Sequence, residues 1–266
     1  MKIRFARLLT ALLLAGTTLV LAPSLQAAEL TSGRPPKPGQ YNPADQTVEL
    51  FDAVKAGQIE VKMVHKDVAE GKVFITNKTN KPINVKLPET FVGVHVLAQG
   101  IGGGGMMGGV GSGGAQMSGG GGMGGGGGMG GGGGGAGGGN FFNVAAEKVG
   151  EVSFVSVCME HGKPDPRAVM KYEMRPADAK VMKPETREAI KLMVDGKITQ
   201  RVAQVLTWHH QCNMSMEELA AKQIKPLTGL PYPYFDPQEI QTALQAKAHI
   251  AKQLEEQAKE PVLPKL

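Results

Sequence analysis

The chain has 266 residues, of which 20% are charged and 41% are hydrophobic, and it carries a formal net charge of +5 with only two cysteines. Two cysteines are too few for a disulfide scaffold. The lysines and arginines are scattered among acidic residues, without the basic stripe and interleaved aromatic residues that are typical of nucleic-acid binding. We therefore predict neither a disulfide-rich domain nor a nucleic-acid partner.

Residues 1–27 are predicted to be a signal peptide. Basic residues near the start precede an apolar run from Leu8 to Leu21, and small residues follow at Ala27 and Ala28. The secretory machinery reads this combination, and Pro23 disfavours a retained signal anchor. We expect an exported protein, located in the periplasm, in the cell envelope or outside the cell.

Removal of this leader leaves 26 basic and 24 acidic residues, so the mature chain has a net charge near +2. No other apolar run is long enough to span a bilayer, and we expect no transmembrane span in the mature chain. Residues 28–47 are rich in proline and polar residues, which favours an extended spacer.

An antiparallel β-sandwich of the Ig-like type is predicted for residues 48–99 and 140–176. A short helix is expected first, within residues 48–56 and ending at Gly57. Apolar and polar residues then alternate in short runs separated by turn residues, as in half-buried antiparallel strands. These runs are residues 59–63, 73–75, 83–87, 91–97, 141–144, 149–157 and 169–174. Six or seven short strands of this kind indicate a small sandwich.

Residues 100–139 contain 28 glycines in 40 residues, with five methionines among them. Such a stretch cannot bury enough apolar surface to fold, so we predict a disordered insertion. Strand-like sequence precedes it and resumes directly after it, which places the insertion in a hairpin connection of the sandwich. Loop-closure entropy grows slowly with length, so the sandwich tolerates the insertion at a cost of about 1 to 2 kcal/mol. The insertion either displays a binding segment or only spans distance.

Residues 177–260 are predicted to form a helical region, which makes the fold class α+β. A first helix begins at Pro184 and a second begins near Thr199. Ser215, with a glutamate three residues later, has the spacing of a capping box and predicts the start of a third helix. A last helix is expected over residues 237–259, and its apolar content decreases towards its end.

Four segments of the sequence carry a resemblance to known proteins. They are residues 73–87 (VFITNKTNKPINVKL), 141–144 (FFNV), 157–166 (VCMEHGKPDP), and Trp208 with 214–222 (MSMEELAAK). In this order they resemble a family of exported bacterial proteins, frequent in planctomycetes, in which a glycine-rich insertion interrupts a small β domain with a helical tail. The order is also similar to that of β-sandwich modules of bacterial surface proteins. Neither resemblance implies a catalytic residue.

The two cysteines form the most testable candidate site. Cys158 ends a predicted strand and Cys212 ends a predicted helix, and the oxidising conditions met by an exported chain favour a disulfide between them. The alternative is a metal site, in which His161 and His209 join the cysteines as a Cys2His2 set for zinc or copper. Free buried thiols are the third possibility. Trp208 is predicted to be a core anchor beneath the helices.

We predict a non-catalytic protein of the cell envelope, either structural or a protein-interaction module, whose partner is another protein or an envelope component. The sequence contains none of the local signatures of a serine hydrolase, a zinc protease or a cysteine enzyme, so neither an enzyme nor a cofactor is predicted. The alternative function is metal binding in the envelope, with zinc or copper held by the cysteines and histidines named above.

Overall fold

The structure is a computed structural model, which describes residues 39–96, 115–124, 140–178 and 180–259. Their elements follow along the chain in this order: β1 (Gln46–Glu49), α1 (Leu50–Lys55), β2 (Ile59–His65), β3 (Glu70–Asn77), β4 (Ile83–Lys86), β5 (Thr90–His95), β6 (Ser118–Gly124), β7 (Phe141–Val144), β8 (Val149–Cys158), β9 (Tyr172–Pro176), α2 (Pro184–Val194), α3 (Gln200–Cys212), α4 (Met216–Ala221), β10 (Gln223–Ile224), β11 (Tyr232–Pro233) and α5 (Pro237–Lys259). Among these residues, no helix is both long enough and apolar enough to cross a membrane.

Most of the predicted elements are confirmed in type and position. Strands β2, β3, β4, β5, β7, β8 and β9 lie on the runs of alternating apolar and polar residues. Helix α2 begins at Pro184, α3 is capped by the Thr199 side chain, and α4 begins with the capping box of Ser215. The signal peptide predicted for residues 1–27 lies outside the described residues.

The predicted Ig-like sandwich is wrong, because the main sheet closes on itself. Six strands form a barrel in the order β2-β3-β8-β6-β5-β9, and every neighbouring pair is antiparallel. A sandwich needs two stacked sheets with open edges. Here β6 joins β5 to β8, and β9 joins β5 to β2 through one aligned pair, Met63 and Tyr172. The fold class is still α+β, with a barrel in place of the sandwich.

A second, mixed sheet has the order β1-β4-β7, with β1 parallel and β7 antiparallel to the central strand. Its centre is fixed by the buried Asn84 side chain. The amide of this residue donates to the backbone carbonyls of Asn42 (2.7 Å) and Asp45 (3.0 Å). Its Oδ1 accepts a hydrogen bond from the Asn143 amide at 2.9 Å. Residues 39–47, predicted as the end of an extended spacer, are therefore tied to the domain.

Strand β6 is built from the glycine-rich sequence. The disordered insertion predicted for residues 100–139 is wrong for residues 115–124, because β6 pairs with β5 along one edge and with β8 along the other. The rest of the insertion lies outside the described residues. Ordering a glycine costs about 0.5–1 kcal/mol more than ordering an alanine. Ladder hydrogen bonds on both edges offset this cost, since they satisfy the buried backbone groups.

Because most residues of β6 are glycines, which have no side chain, both faces of the strand leave room for neighbouring groups. A Cβ on Gly120 would lie 2.4 Å from the Phe91 ring, and a Cβ on Gly119 would lie 2.7 Å from Ile190 of α2. Phe91 belongs to the barrel core, whereas Ile190 belongs to the helical layer, and both are fully buried. The strand therefore lets the barrel core and helix α2 approach it from opposite sides.

Helix α3 is attached to the barrel through glutamine side chains. Gln204 forms two 2.8 Å hydrogen bonds with the backbone of Cys158, one accepted from its N–H and one donated to its carbonyl. Strand β3 begins opposite Val155 and does not reach Cys158, so Gln204 takes the place of a strand partner on that edge for the last residue of β8. Gln200 adds a 3.1 Å hydrogen bond to the Ser156 carbonyl.

Buried apolar side chains form three clusters. The first, around Phe91 and Phe154, fills the barrel. The second, around Trp208 and Phe235, lies among α2, α3, α4 and α5. The third includes Ile190 and joins the outer face of the barrel to α2 and α3. The barrel therefore packs against helices α2 and α3 through this third cluster.

We expect Gly120→Ala to lower the free energy of unfolding by about 1–3 kcal/mol, because the new methyl group overlaps the Phe91 ring. Phe91→Leu removes that ring and with it the overlap. The Gly120→Ala/Phe91→Leu double variant should therefore lose less unfolding free energy than the two single variants lose together. Urea denaturation of the four proteins in this cycle measures the coupling.

Ser153→Ala is the matched control, because it changes an exposed residue of the neighbouring strand β8. It should leave the urea midpoint close to that of the wild type. A Gly120→Ala protein with the wild-type midpoint would contradict the packing described for β6.

Candidate functional site

The two cysteines are free in the structure, so the predicted disulfide is not formed there. The Cys158 thiol is buried in the helical cluster. Cys212 is half-buried, and its Sγ contacts the turn after β8. There it donates a hydrogen bond to the Met159 carbonyl (3.2 Å) and accepts one from the His161 N–H (3.4 Å). Each thiol is thus occupied by packing or by backbone groups.

The predicted Cys2His2 metal set is not assembled either. The Nδ1 atom of His209 lies 2.7 Å from the Met214 carbonyl, and the Nε2 atom of His161 lies 2.8 Å from the Lys222 ammonium. In the described part of the chain, no group of three or more His, Cys, Asp or Glu side chains is arranged to hold a metal ion. Of the four residues, only Cys212 and His161 contact each other, and they do so through the backbone N–H of His161.

Trp208 lies at the centre of an aromatic cluster, which we define as Trp208, Tyr234 and Phe235. Its ring centroid is 5.5 Å from that of Tyr234 and 5.8 Å from that of Phe235, and His161 meets it edge-on at 4.7 Å. Trp208 and Phe235 are buried, whereas Tyr234 is half-buried. The cluster holds the chain that follows β11 against helix α3.

Two cations contact the half-buried ring of this cluster. The Lys222 ammonium lies 5.0 Å and the Arg201 guanidinium 5.6 Å from the centroid of Tyr234. Arg201 also donates to the Tyr234 carbonyl. Burial and the nearby Lys222 charge lower the pKa of His161, which keeps its Nε2 free to accept from Lys222. These contacts fix both ends of the segment between α4 and α5.

A short hairpin, β10–β11, projects from this fixed base. Gln223 and Ile224 pair with Pro233 and Tyr232, and residues 225–231 form the loop. We define the hairpin surface as three large apolar side chains on it: Leu227, which is fully exposed, Leu230, which is 87% exposed, and Tyr232, which is 51% exposed. Soluble monomers rarely expose apolar side chains in such a group, and grouped exposure marks interaction sites.

A buried polar pair inside the barrel was missed by sequence reasoning. Ser118 Oγ and His65 Nε2 lie 3.0 Å apart, and both side chains are 0% exposed. They have the residue types of a nucleophile and a base, and the described residues shield both side chains from solvent. His65 also stacks edge-on against Tyr172 at 4.4 Å and Phe154 at 5.3 Å. The pair therefore links β2 to β6, and no local motif in the sequence predicts it.

Comparison of the chain with protein-family models, with characterised proteins and with solved structures gave no match. The resemblance to exported planctomycete proteins therefore stays a prediction, and the hairpin surface is the feature that points most directly to a function.

Thiol accessibility tests the state of the cysteines. Burial raises the pKa of Cys158 to about 12 and also raises the pKa of Cys212, so neither thiol should react quickly with iodoacetamide in the native protein at pH 8. In denaturant without a reductant, intact mass should show two alkylated cysteines, and a Cys212→Ser variant should show one. Labelling that requires a reductant would instead reveal a Cys158–Cys212 disulfide.

Acid stability tests the buried His65. Burial lowers its pKa from 6.5 to about 4, so the folded protein holds the imidazole neutral while the unfolded chain protonates it. The neutral imidazole therefore makes its full contribution to the free energy of unfolding above pH 6.5. This contribution, about 3 kcal/mol, is lost as the pH falls towards 4.

We expect His65→Gln to lower stability at pH 7 but to flatten the decline of the unfolding free energy between pH 7 and pH 4, measured by urea denaturation. His249 is exposed on α5, so His249→Gln should keep the wild-type slope. Equal slopes for the His65 variant and the wild type would contradict this role.

Proposed function

We propose that this chain is a non-catalytic, exported protein of the cell envelope that binds a partner protein through the hairpin surface. The observation that carries the proposal is the exposure of Leu227, Leu230 and Tyr232 on one short hairpin. Burial of such side chains is favourable at about 25 cal/mol per Å² of apolar area. The export part of the proposal rests on the predicted signal peptide.

The hairpin surface is suited to binding because its backbone is restricted before the partner arrives. Pro226, Pro231 and Pro233 limit the backbone of the loop and of β11. At the base, the Tyr234 backbone N–H donates to the Lys222 carbonyl at 2.8 Å. A restricted loop loses little conformational entropy on association.

The shape and chemistry of the hairpin favour a protein partner with an apolar groove. The side chains of its loop are exposed and not enclosed by the domain, which suits insertion into a partner. Its three side chains offer apolar area and one phenol, which supports binding rather than reaction. A loop limited by prolines also matches a groove of defined shape better than a fluid lipid surface.

The test compares the wild type with a Leu227→Ser/Leu230→Ser double variant. Each purified protein is immobilised and exposed to the envelope proteins of its source cells, and the retained proteins are quantified by mass spectrometry. A specific partner should be retained by the wild type and reduced by about tenfold or more in the double variant, since truncation of a side chain that anchors an interface costs about 2 kcal/mol or more.

Val169→Ser is the matched control, because Val169 is 89% exposed at a site in another loop. It should retain the partner like the wild type, and all three proteins should melt at the same temperature. Equal retention by the double variant would overturn the proposal. A second outcome would also overturn the proposal: the wild type floats with phospholipid vesicles and the double variant does not. That result would show that the hairpin surface binds lipid.

A further inference from the structure

The final turns of α5 extend beyond the helical cluster. This helix has 23 residues, and its buried side chains end at Ile250. Residues 255–259 are exposed around the whole helix, although they keep helical geometry. Helices in proteins owe most of their stability to tertiary packing, so an exposed helical end gains from a second surface to pack against.

A groove of about 420 Å³ runs along this part of α5, and the ends of α2 and α3 form its other wall. The residues that α5 contributes are Lys247, Ile250, Ala251, Leu254, Glu255 and Ala258. Their spacing of three and four residues places them on one face of the helix. The floor of the groove is apolar. Two charged residues flank Ala251 at equal sequence separations, Lys247 before it and Glu255 after it.

The residues around Ala251 complement each other when two copies of α5 are aligned antiparallel. In an antiparallel pair of α5 helices centred on this residue, Lys247 meets Glu255 of the second copy. Leu244 meets Ala258, and Ala248 meets Leu254. Twofold symmetry makes each contact occur twice. A parallel pair would instead bring lysine against lysine and glutamate against glutamate.

The geometry points to a second copy of this chain as the occupant of the groove, with the two α5 helices antiparallel and centred on Ala251. The small side chains of Ala248, Ala251 and Ala258 allow the two helices to approach closely. The exposed end of each helix then packs against Leu244 and Lys247 of the other copy. Lys252 and Glu256 already pair within their own helix at 3.9 Å, so they remain outside the contact.

Charge reversal tests this arrangement without relying on loss of folding. Sedimentation equilibrium of the mature chain should show a dimer for the wild type. Lys247→Glu and Glu255→Lys should each weaken the dimer by about tenfold or more, since each replaces two attractive contacts by two repulsive ones. The double variant K247E/E255K restores opposite charges across the axis and should restore the dimer.

An equimolar mixture of the two single variants should also form a dimer, because each variant then faces charges of the opposite sign. Lys252→Glu is the matched control and should dimerise like the wild type. The Leu227→Ser/Leu230→Ser variant should dimerise too, which separates this inference from the proposed function of the hairpin. A monomeric wild type, or a double variant as weak as the single variants, would overturn the inference.

Discussion

Strand β6 closes the barrel because its glycines leave space on both faces. Inside, Phe91 occupies the volume that a side chain on Gly120 would fill; outside, Ile190 of α2 does the same at Gly119. Any larger residue at these two positions would push the core or the helix away. The closed barrel and the position of its helical layer therefore depend on a strand that contributes almost no side-chain atoms.

The helical layer is then held in place by hydrogen bonds as well as by packing. Gln204 forms hydrogen bonds with the backbone of Cys158, which lies beyond the start of β3, so α3 supplies the backbone partners that β3 does not reach. Such bonds depend on direction, whereas apolar contacts do not. This attachment fixes Trp208, and through the aromatic cluster it fixes the base of the β10–β11 hairpin.

Two exposed features result from this arrangement, and their chemistry differs. The hairpin surface is apolar and exposed, whereas the face of α5 around Ala251 is small, apolar and flanked by opposite charges. A dimer formed through α5 would carry two hairpin surfaces. Linking two binding sites raises the effective affinity for a partner that carries repeated sites, without any new contact. Pairing through α5 and binding through the hairpin surface are therefore compatible.

Local sequence patterns were enough to predict the individual elements. Alternation of apolar and polar residues predicted seven strands of the barrel and the mixed sheet, and Pro184, Thr199 and the capping box of Ser215 predicted helix starts. These features depend on neighbours a few residues away. The closed barrel, the ordered glycine strand and the Ser118–His65 pair were decided by tertiary structure. Glycine has no pattern that predicts a strand, and only the edges of β5 and β8, distant in sequence, supply the hydrogen bonds that order it.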